Sequence, residues 1–279
     1  MAIKRIHIVG SGPRTGTTLL AELMKTCFDI DIYTSHENRL YKSPLKNGSV
    51  FLTKAPQDIL LVEQALKMWK DLTILYMIRD PRDTIVSKHK KDPDRYWASL
   101  RYWKTYSEVG KKLMQHPRFI TIRYEDLVHK PDEIQDLLEE KIPYLKKTKN
   151  FSNFHEESDI SNESELALGG VREISTNSIG NWKNHLPRIK EQIRKHGSIT
   201  KDLIEYKYEE NDKWEEILND VEDAEFESHY PEYFTKEEIR KRRRMNKFMF
   251  RWTIARHKDF PLAVKEFFIK YHFYTPKDK

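Results

Sequence analysis

The stretch Ile3-Lys4-Arg5-Ile6-His7-Ile8-Val9-Gly10-Ser11-Gly12-Pro13-Arg14-Thr15-Gly16-Thr17-Thr18 runs a β-branched segment into a glycine-rich turn. Ile3 to Val9 reads as a strand and Gly10 to Pro13 as the turn that closes it. Beyond the turn, Leu19, Leu20, Leu23, Met24 and Cys27 fall at i, i+1, i+4, i+5 and i+8, the apolar stripe of a helix over 17–27. Glycines let such a turn curl until its backbone N–H groups converge on an anion, and the helix N-terminus adds partial positive charge. The spacing is one step from the nucleotide loop Gly-x-x-x-x-Gly-Lys-Ser/Thr. Ser11 stands at the first glycine position, Gly16 at the second, Thr17 at the lysine position and Thr18 last. Arg14 supplies the cation instead, three residues early. A kinase or ATPase relies on the missing lysine to hold its β- and γ-phosphates.

Outward from this turn, strands and helices alternate. Residues 29–33 and 50–54 read as short strands, 59–69 as an apolar helix, and Leu72 to Ile78 as an uninterrupted apolar strand of the kind buried on both faces. Asp80-Pro81-Arg82-Asp83 carries the marks of a helix start, with Asp as cap and Pro at the first helical position. A helix over 95–115, a strand over 119–123 and a helix over 125–140 follow. The pattern predicts an α/β fold with a central parallel sheet covered by helices, a P-loop-like three-layer arrangement. Residues 146–180 lose periodicity and read as a long loop or lid. The domain reading is a core over 1–195 and a helical C-terminal extension over 196–279.

The chain has 279 residues, of which 34% are charged, yet 50 Lys and Arg against 44 Asp and Glu leave a net charge of only +6. Its 38% hydrophobic and 12% aromatic content can fill a core, which sets it apart from disordered chains. One cysteine, Cys27, excludes a disulfide framework within the chain and a Cys-based zinc site. No stretch approaches the roughly 18 apolar residues of a membrane span. With a strand-like run already at Ile3, the expectation is a chain without a leader, cytoplasmic in location. Residues 205–227 hold 11 acids and 2 bases, and residues 236–258 hold 10 bases and 2 acids. The basic run Lys241-Arg242-Arg243-Arg244 is therefore read as a partner for those acids or a solvated face rather than a nucleic-acid site. Its remaining functional use is to greet an anionic acceptor.

Pro13-Arg14-Thr15-Gly16-Thr17-Thr18 resembles the 5′-phosphosulfate loop of sulfotransferases that use 3′-phosphoadenosine 5′-phosphosulfate (PAPS). Tyr76-Met77-Ile78-Arg79-Asp80-Pro81-Arg82-Asp83-Thr84-Ile85-Val86-Ser87 is similar to that family's 3′-phosphate motif, in which an arginine at a strand end and a serine eight residues later hold the phosphate. Arg79 leaves its strand at the carboxyl edge, where ligands of open α/β sheets bind. Two further segments follow the family's pattern. Phe51-Leu52-Thr53-Lys54-Ala55-Pro56 ends a short strand with a lysine, and Ile179-Gly180-Asn181-Trp182-Lys183-Asn184-His185 is similar to the late Gly-x-Trp-Lys segment that closes over the nucleotide. The resemblance covers residues 3–190. It implies PAPS as donor, 3′-phosphoadenosine 5′-phosphate (PAP) as product, and sulfuryl transfer to an acceptor hydroxyl.

A sulfuryl group carries less charge than a phosphoryl group, so no metal is expected. Charge builds on the bridging oxygen of the leaving nucleotide and calls for positioned cations and dipoles. Arg14 and Lys54 are the candidates, with Thr17, Thr18 and the loop N–H groups holding the phosphosulfate; the bland reading of Lys54 is a solvated strand-end lysine. The acceptor needs a general base. His36-Glu37-Asn38-Arg39 follows the second strand, and Glu-Asn-Arg is similar to the Glu-Thr-Arg of the protein-tyrosine and bacterial carbohydrate branches. That resemblance favours Glu37, with His36 as the alternative, and a carbohydrate acceptor over a peptide tyrosine or small alcohol. Tyr124, in Tyr124-Glu125-Asp126-Leu127, is the candidate adenine platform. Cytosolic members carry an Arg-Lys-Gly triplet where this chain has Ser175, Thr176 and Asn177, so Arg172 or Lys183 could substitute at the 3′-phosphate, and Ser178 could bond the phosphosulfate. The rival readings are an ATP-dependent P-loop kinase and a non-catalytic nucleotide- or glycan-binding module.

Overall fold

The computed structural model describes residues 3–229 apart from 35–36, 43, 45–46, 90–91, 158–160, 162–163, 166–167, 169 and 171–172, together with scattered positions from 237 to 248. Among the described residues, five parallel strands form the central sheet: β1 (Lys4–Gly10), β2 (Ile32–Tyr33), β3 (Val50–Lys54), β4 (Leu72–Ile78) and β7 (Phe119–Arg123), in the order β2-β3-β1-β4-β7. The intervening β5 (Lys88–His89) and β6 (Asp92–Tyr96) form a separate antiparallel pair. β1 lies between β3 and β4, with Ile8 opposite Lys54 and Gly10 opposite Met77. The chain leaves β1 toward the β3 side and later returns to β4 on the other. This reversal opens a crevice at the carboxyl ends of the strands, where an open α/β sheet binds its ligand.

All seven residues of β4 are buried, and strand alternation deals them to two cores. Ile6 and Ile8 of β1 join Leu75 and Met77 of β4 under α1 (Thr17–Cys27), whose Leu20, Leu23, Met24 and Cys27 are fully buried. Val9, Ile74, Tyr76 and Ile78 face the opposite layer of α2 (Ile59–Met68) and α4 (Leu100–Leu113), with Val62, Tyr102 and Trp103. The result is the expected three-layer α/β fold.

Local chemistry accounts for most boundaries. Asp80 accepts the Arg82 N–H at 2.8 Å and Pro81 opens the short helix α3 (Pro81–Ile85), as its sequence predicts. The helix expected over 95–115 begins later. Asp92–Tyr96 is strand, and Ser99 caps α4 by accepting the Tyr102 N–H. The helix expected over 125–140 divides into α5 (Tyr124–His129) and α6 (Pro131–Lys141), because Pro131 forces Lys130 out of helical geometry, to φ −138° and ψ 59°. Residues 146–180 are not wholly irregular: Phe151 and Phe154, on a turn of helix, are buried against α1.

Past Trp182 the chain forms helices Leu186–His196 and Thr200–Glu205 and a 3-10 turn, Lys213–Leu218. Leu203, Tyr206, Trp214 and Leu218 share the core that holds Trp103 and Trp182. The acidic segment pairs with cations of the core: Glu205 with Lys111, Glu209 with Arg82, and Glu225 with Arg194 and Lys195. Arg242, Arg243 and all residues from 249 onward lie outside the described residues, and with them most of the basic and aromatic tail. No helix among the described residues is long and apolar enough to cross a membrane.

Candidate nucleotide and transfer site

The turn after β1 is built on backbone geometry. Gly12 and Gly16 take φ of 122° and 86°, and Arg14 takes 66°, the left-handed region that a side chain enters only at a cost. A Cβ on Gly10 would stand 2.3 Å from the Thr15 hydroxyl, and one on Gly16 would stand 2.4 Å from the Tyr124 ring. The Thr15 hydroxyl donates to the Gly12 carbonyl at 3.0 Å and so braces the turn from within. Gly16 caps α1 without any side-chain bond and the first turn has no acid. The first N–H groups of the helix are thereby left to an anion.

Arg79 leaves β4 directly beneath this turn. One of its terminal nitrogens donates to the Arg14 carbonyl at 3.1 Å and the other to the Ser178 carbonyl at 2.5 Å, while its buried Nε has no hydrogen-bond partner. The Arg14 Nε donates to Ser87 Oγ at 2.9 Å, so the loop arginine turns toward the serine of the second motif. Burial first, and then the positive charge of Arg79, pull the Arg14 guanidinium below its ordinary pKa. Two guanidiniums held this close in a partly desolvated site call for an anion. They front two cavities. The larger, about 340 Å³, is walled by Gly16, Thr17, Thr18, Tyr124, Ser175, Asn177 and Ser178 among others. The smaller, about 280 Å³, adds Ser87, Lys88, Asn181 and His185 to the two arginines. The Arg79 guanidinium also lies over the Tyr124 ring at 4.6 Å, and the Tyr124 hydroxyl bonds Ser178 Oγ at 2.7 Å.

A strap runs over the arginines. Asp83 accepts the backbone N–H groups of Gly180 at 2.8 Å and Trp182 at 2.9 Å. Burial raises the Asp83 pKa, against the pull of Arg79 and these two amides. Trp182, 5% exposed, packs under the Arg82 guanidinium at 4.2 Å and edge-on to Trp214. Trp182 and the exposed Lys183 line neither cavity. The candidate phosphate contact Arg172 lies outside the described residues.

The candidate base segment lies where β3 ends. Lys54, 7% exposed, donates to Thr18 Oγ1 at 3.0 Å and pairs with Glu37 at 3.6 Å. Burial lowers the Lys54 pKa, and Glu37 leads the opposing influences. The Asn38 N–H bonds the Lys54 carbonyl at 2.9 Å, fixing the Glu37 segment to the strand end. Arg39 is anchored next to it by Asp58, which is fully buried with His7. His36 lies outside the described residues. Arg82 and Asp83 lie within the second motif and His185 within the late segment, but the sequence gives them no role at the site; Lys88 lies one residue past Ser87.

No curated protein matches the chain. Among solved structures, the chain is similar to the sulfotransferase domain of the curacin biosynthetic pathway (13% identity, 67% of this chain and 98% of that one, TM-score 0.37). It is also similar to the sulfotransferase domain of the Synechococcus PCC 7002 olefin synthase (13%, 66% and 94%, 0.40) and to retinol dehydratase crystallised with retinol and PAP (13%, 83% and 84%, 0.35). In sequence, residues 31–140, running from just before β2 through most of α6, match the profile of the sulfotransferase family.

Proposed function

We propose that this chain is a PAPS-dependent sulfotransferase that moves a sulfuryl group to an acceptor hydroxyl, with a carbohydrate as the favoured acceptor. The observation that carries the reading is Lys54, whose ammonium joins Thr18 of the phosphate-binding turn to Glu37 of the neighbouring loop. One side chain thus connects a donor-binding element to a candidate base.

The residues fit a doubly anionic nucleotide. Arg14 and Arg79 are close, partly desolvated and mutually repelling, and the Arg79 Nε is orphaned. The uncapped start of α1 offers free N–H donors beside them. When bound, PAPS would supply an activated sulfuryl group whose bridging S–O bond breaks as the acceptor S–O bond forms. Gly16, Thr17 and Thr18 would hold the 5′-phosphosulfate, Arg79 and Ser87 the 3′-phosphate, and Tyr124 would wall the adenine. Lys54 would meet the charge that develops on the leaving oxygen, an electrostatic contribution worth on the order of 10²–10³ in rate for one donor. Glu37, paired with Lys54 at 3.6 Å, would accept the acceptor's hydroxyl proton. Residues 1–195 would form the nucleotide-binding unit and 196–279 an extension braced on it through Trp214 and Glu209.

Thermal shift with PAP against Mg-ATP separates this reading from a P-loop kinase: stabilisation by PAP alone supports it, and stabilisation by Mg-ATP alone overturns it. Incubation with sulfur-labelled PAPS and an oligosaccharide, tyrosyl-peptide and alcohol panel then tests the chemistry. Label on no acceptor would leave a binding module.

A further inference from the structure

The segment at Ser175-Thr176-Asn177 brings no cation to the nucleotide, yet the smaller cavity, about 280 Å³, is strongly basic. Arg14, Arg79 and Lys88 line it together with His185, and Asp83 is its one lining carboxylate. Both Asp83 oxygens already accept backbone N–H groups of the strap, so Asp83 is committed and the cavity keeps excess positive charge.

We propose that Lys88 and His185 are anion-binding residues that complete the 3′-phosphate site with Arg79, Ser87 and Arg14. The inference rests on the PAPS reading above and assigns this part of the site to residues to which the motifs give no role.

Lys88 directly follows Ser87, and β5 is pinned there: the Trp97 N–H bonds the Ser87 carbonyl at 2.8 Å, and Lys88 pairs with Tyr96 across the hairpin. Its ammonium lies 5.1 Å from the centre of the Tyr96 ring, and no carboxylate among the described residues pairs with it. An exposed ammonium next to the serine of the motif, with no acid paired to it among the described residues, suits a phosphate oxygen. His185 ends the 3-10 turn Asn181–His185. Its Nδ1 is bonded to the Tyr96 hydroxyl at 3.1 Å, and the two rings meet edge to face. That bond orients the imidazole and leaves Nε2 for a ligand. Burial, followed by the charge of Lys88, lowers the His185 pKa, so the ring can donate as a neutral imidazole or gain a proton once an anion offsets Lys88. Tyr96 thereby organises both groups from one side of the cavity, and Arg79 and Arg14 face them from the turn.

The test is calorimetric titration of the full chain with PAP and with adenosine 5′-monophosphate, which lacks the 3′-phosphate. Lys88→Ala should weaken PAP binding about tenfold or more, as expected for a lost charge-assisted bond, and change monophosphate binding less than twofold. His185→Asn keeps an amide near the Nδ1 position and removes Nε2, so it should lose PAP selectively. His185→Gln, which places an amide near Nε2, should restore part of the loss. Equal losses for both nucleotides, or none, would overturn the assignment of Lys88 and His185 while leaving the PAPS reading intact. A wild-type chain that binds PAP no better than the monophosphate would overturn both.

Discussion

Lys54 and Glu37 form an ion pair of 3.6 Å in which the lysine is the buried partner and the carboxylate reaches solvent, their side chains 9% and 45% exposed. This asymmetry fits the proposed roles. A desolvated ammonium beside Thr18 would act on the donor, and an accessible carboxylate would meet the acceptor. Glu37→Gln should therefore lower kcat for sulfuryl transfer by about 10²–10⁴, the usual worth of a positioned base, with PAP affinity unchanged within twofold. Full activity in that variant would move the role to His36.

Gly16 is where the turn and Tyr124 meet most closely. Its φ of 86° would strain any side chain, and a Cβ would overlap the Tyr124 ring. Gly16→Ala should destabilise the chain by about 1–3 kcal/mol, a Tm lower by roughly 2–10 °C at this chain length. PAP binding should also be lost, because the same shift moves the first N–H groups of α1. A melt indistinguishable from wild type would show that the turn relaxes freely.

Arg79 does more than present charge, since it ties the Arg14 and Ser178 carbonyls together. Arg79→Ala should weaken PAP binding about 100-fold and speed hydrogen exchange at the Gly180 and Trp182 amides as the strap loosens. Arg79→Lys keeps a cation but replaces two separately placed terminal nitrogens with one, so it should restore part of the affinity and less of the exchange protection. Unchanged PAP affinity in Arg79→Ala would remove Arg79 from the phosphate site.

What could be read before folding was what local chemistry specifies. The uninterrupted run of β4, the Asp80-Pro81 helix start and the glycine spacing of the turn are each complete within a few residues, and each stands where expected. The failures are of two kinds. A helix expected over 95–115 lost its first residues to β6, since Tyr96 and Trp97 suit a strand as well as a helix and only Ser99 marks the true cap. The strap contacts, by contrast, have no local signature. Asp83 and Gly180 are 97 residues apart, Arg14 and Ser87 are 73 apart, and only the parallel crossovers bring them together. The link between Lys88 and His185 has no local signature for the same reason, because Tyr96 joins them through space.

Glu125 gives a prediction whose sign is fixed by burial. It is 7% exposed, accepts the Asp80 N–H at 3.0 Å and receives the Tyr208 hydroxyl at 3.1 Å. Burial raises its pKa above the ordinary value of 4.5, outweighing the backbone bonds and Arg79. A carboxyl whose folded pKa is raised binds its proton more tightly in the native state. Its contribution to stability is complete below the unfolded pKa and is lost as pH rises through the folded value. Glu125→Gln keeps the shape, the acceptor for Asp80 and a partner for Tyr208, but removes the charge. The variant should melt higher than wild type at pH 7, and the difference should shrink to nothing as pH falls to about 4. A variant that melts lower at pH 7 would show instead that Tyr208 and the Asp80 amide depend on a full negative charge between them.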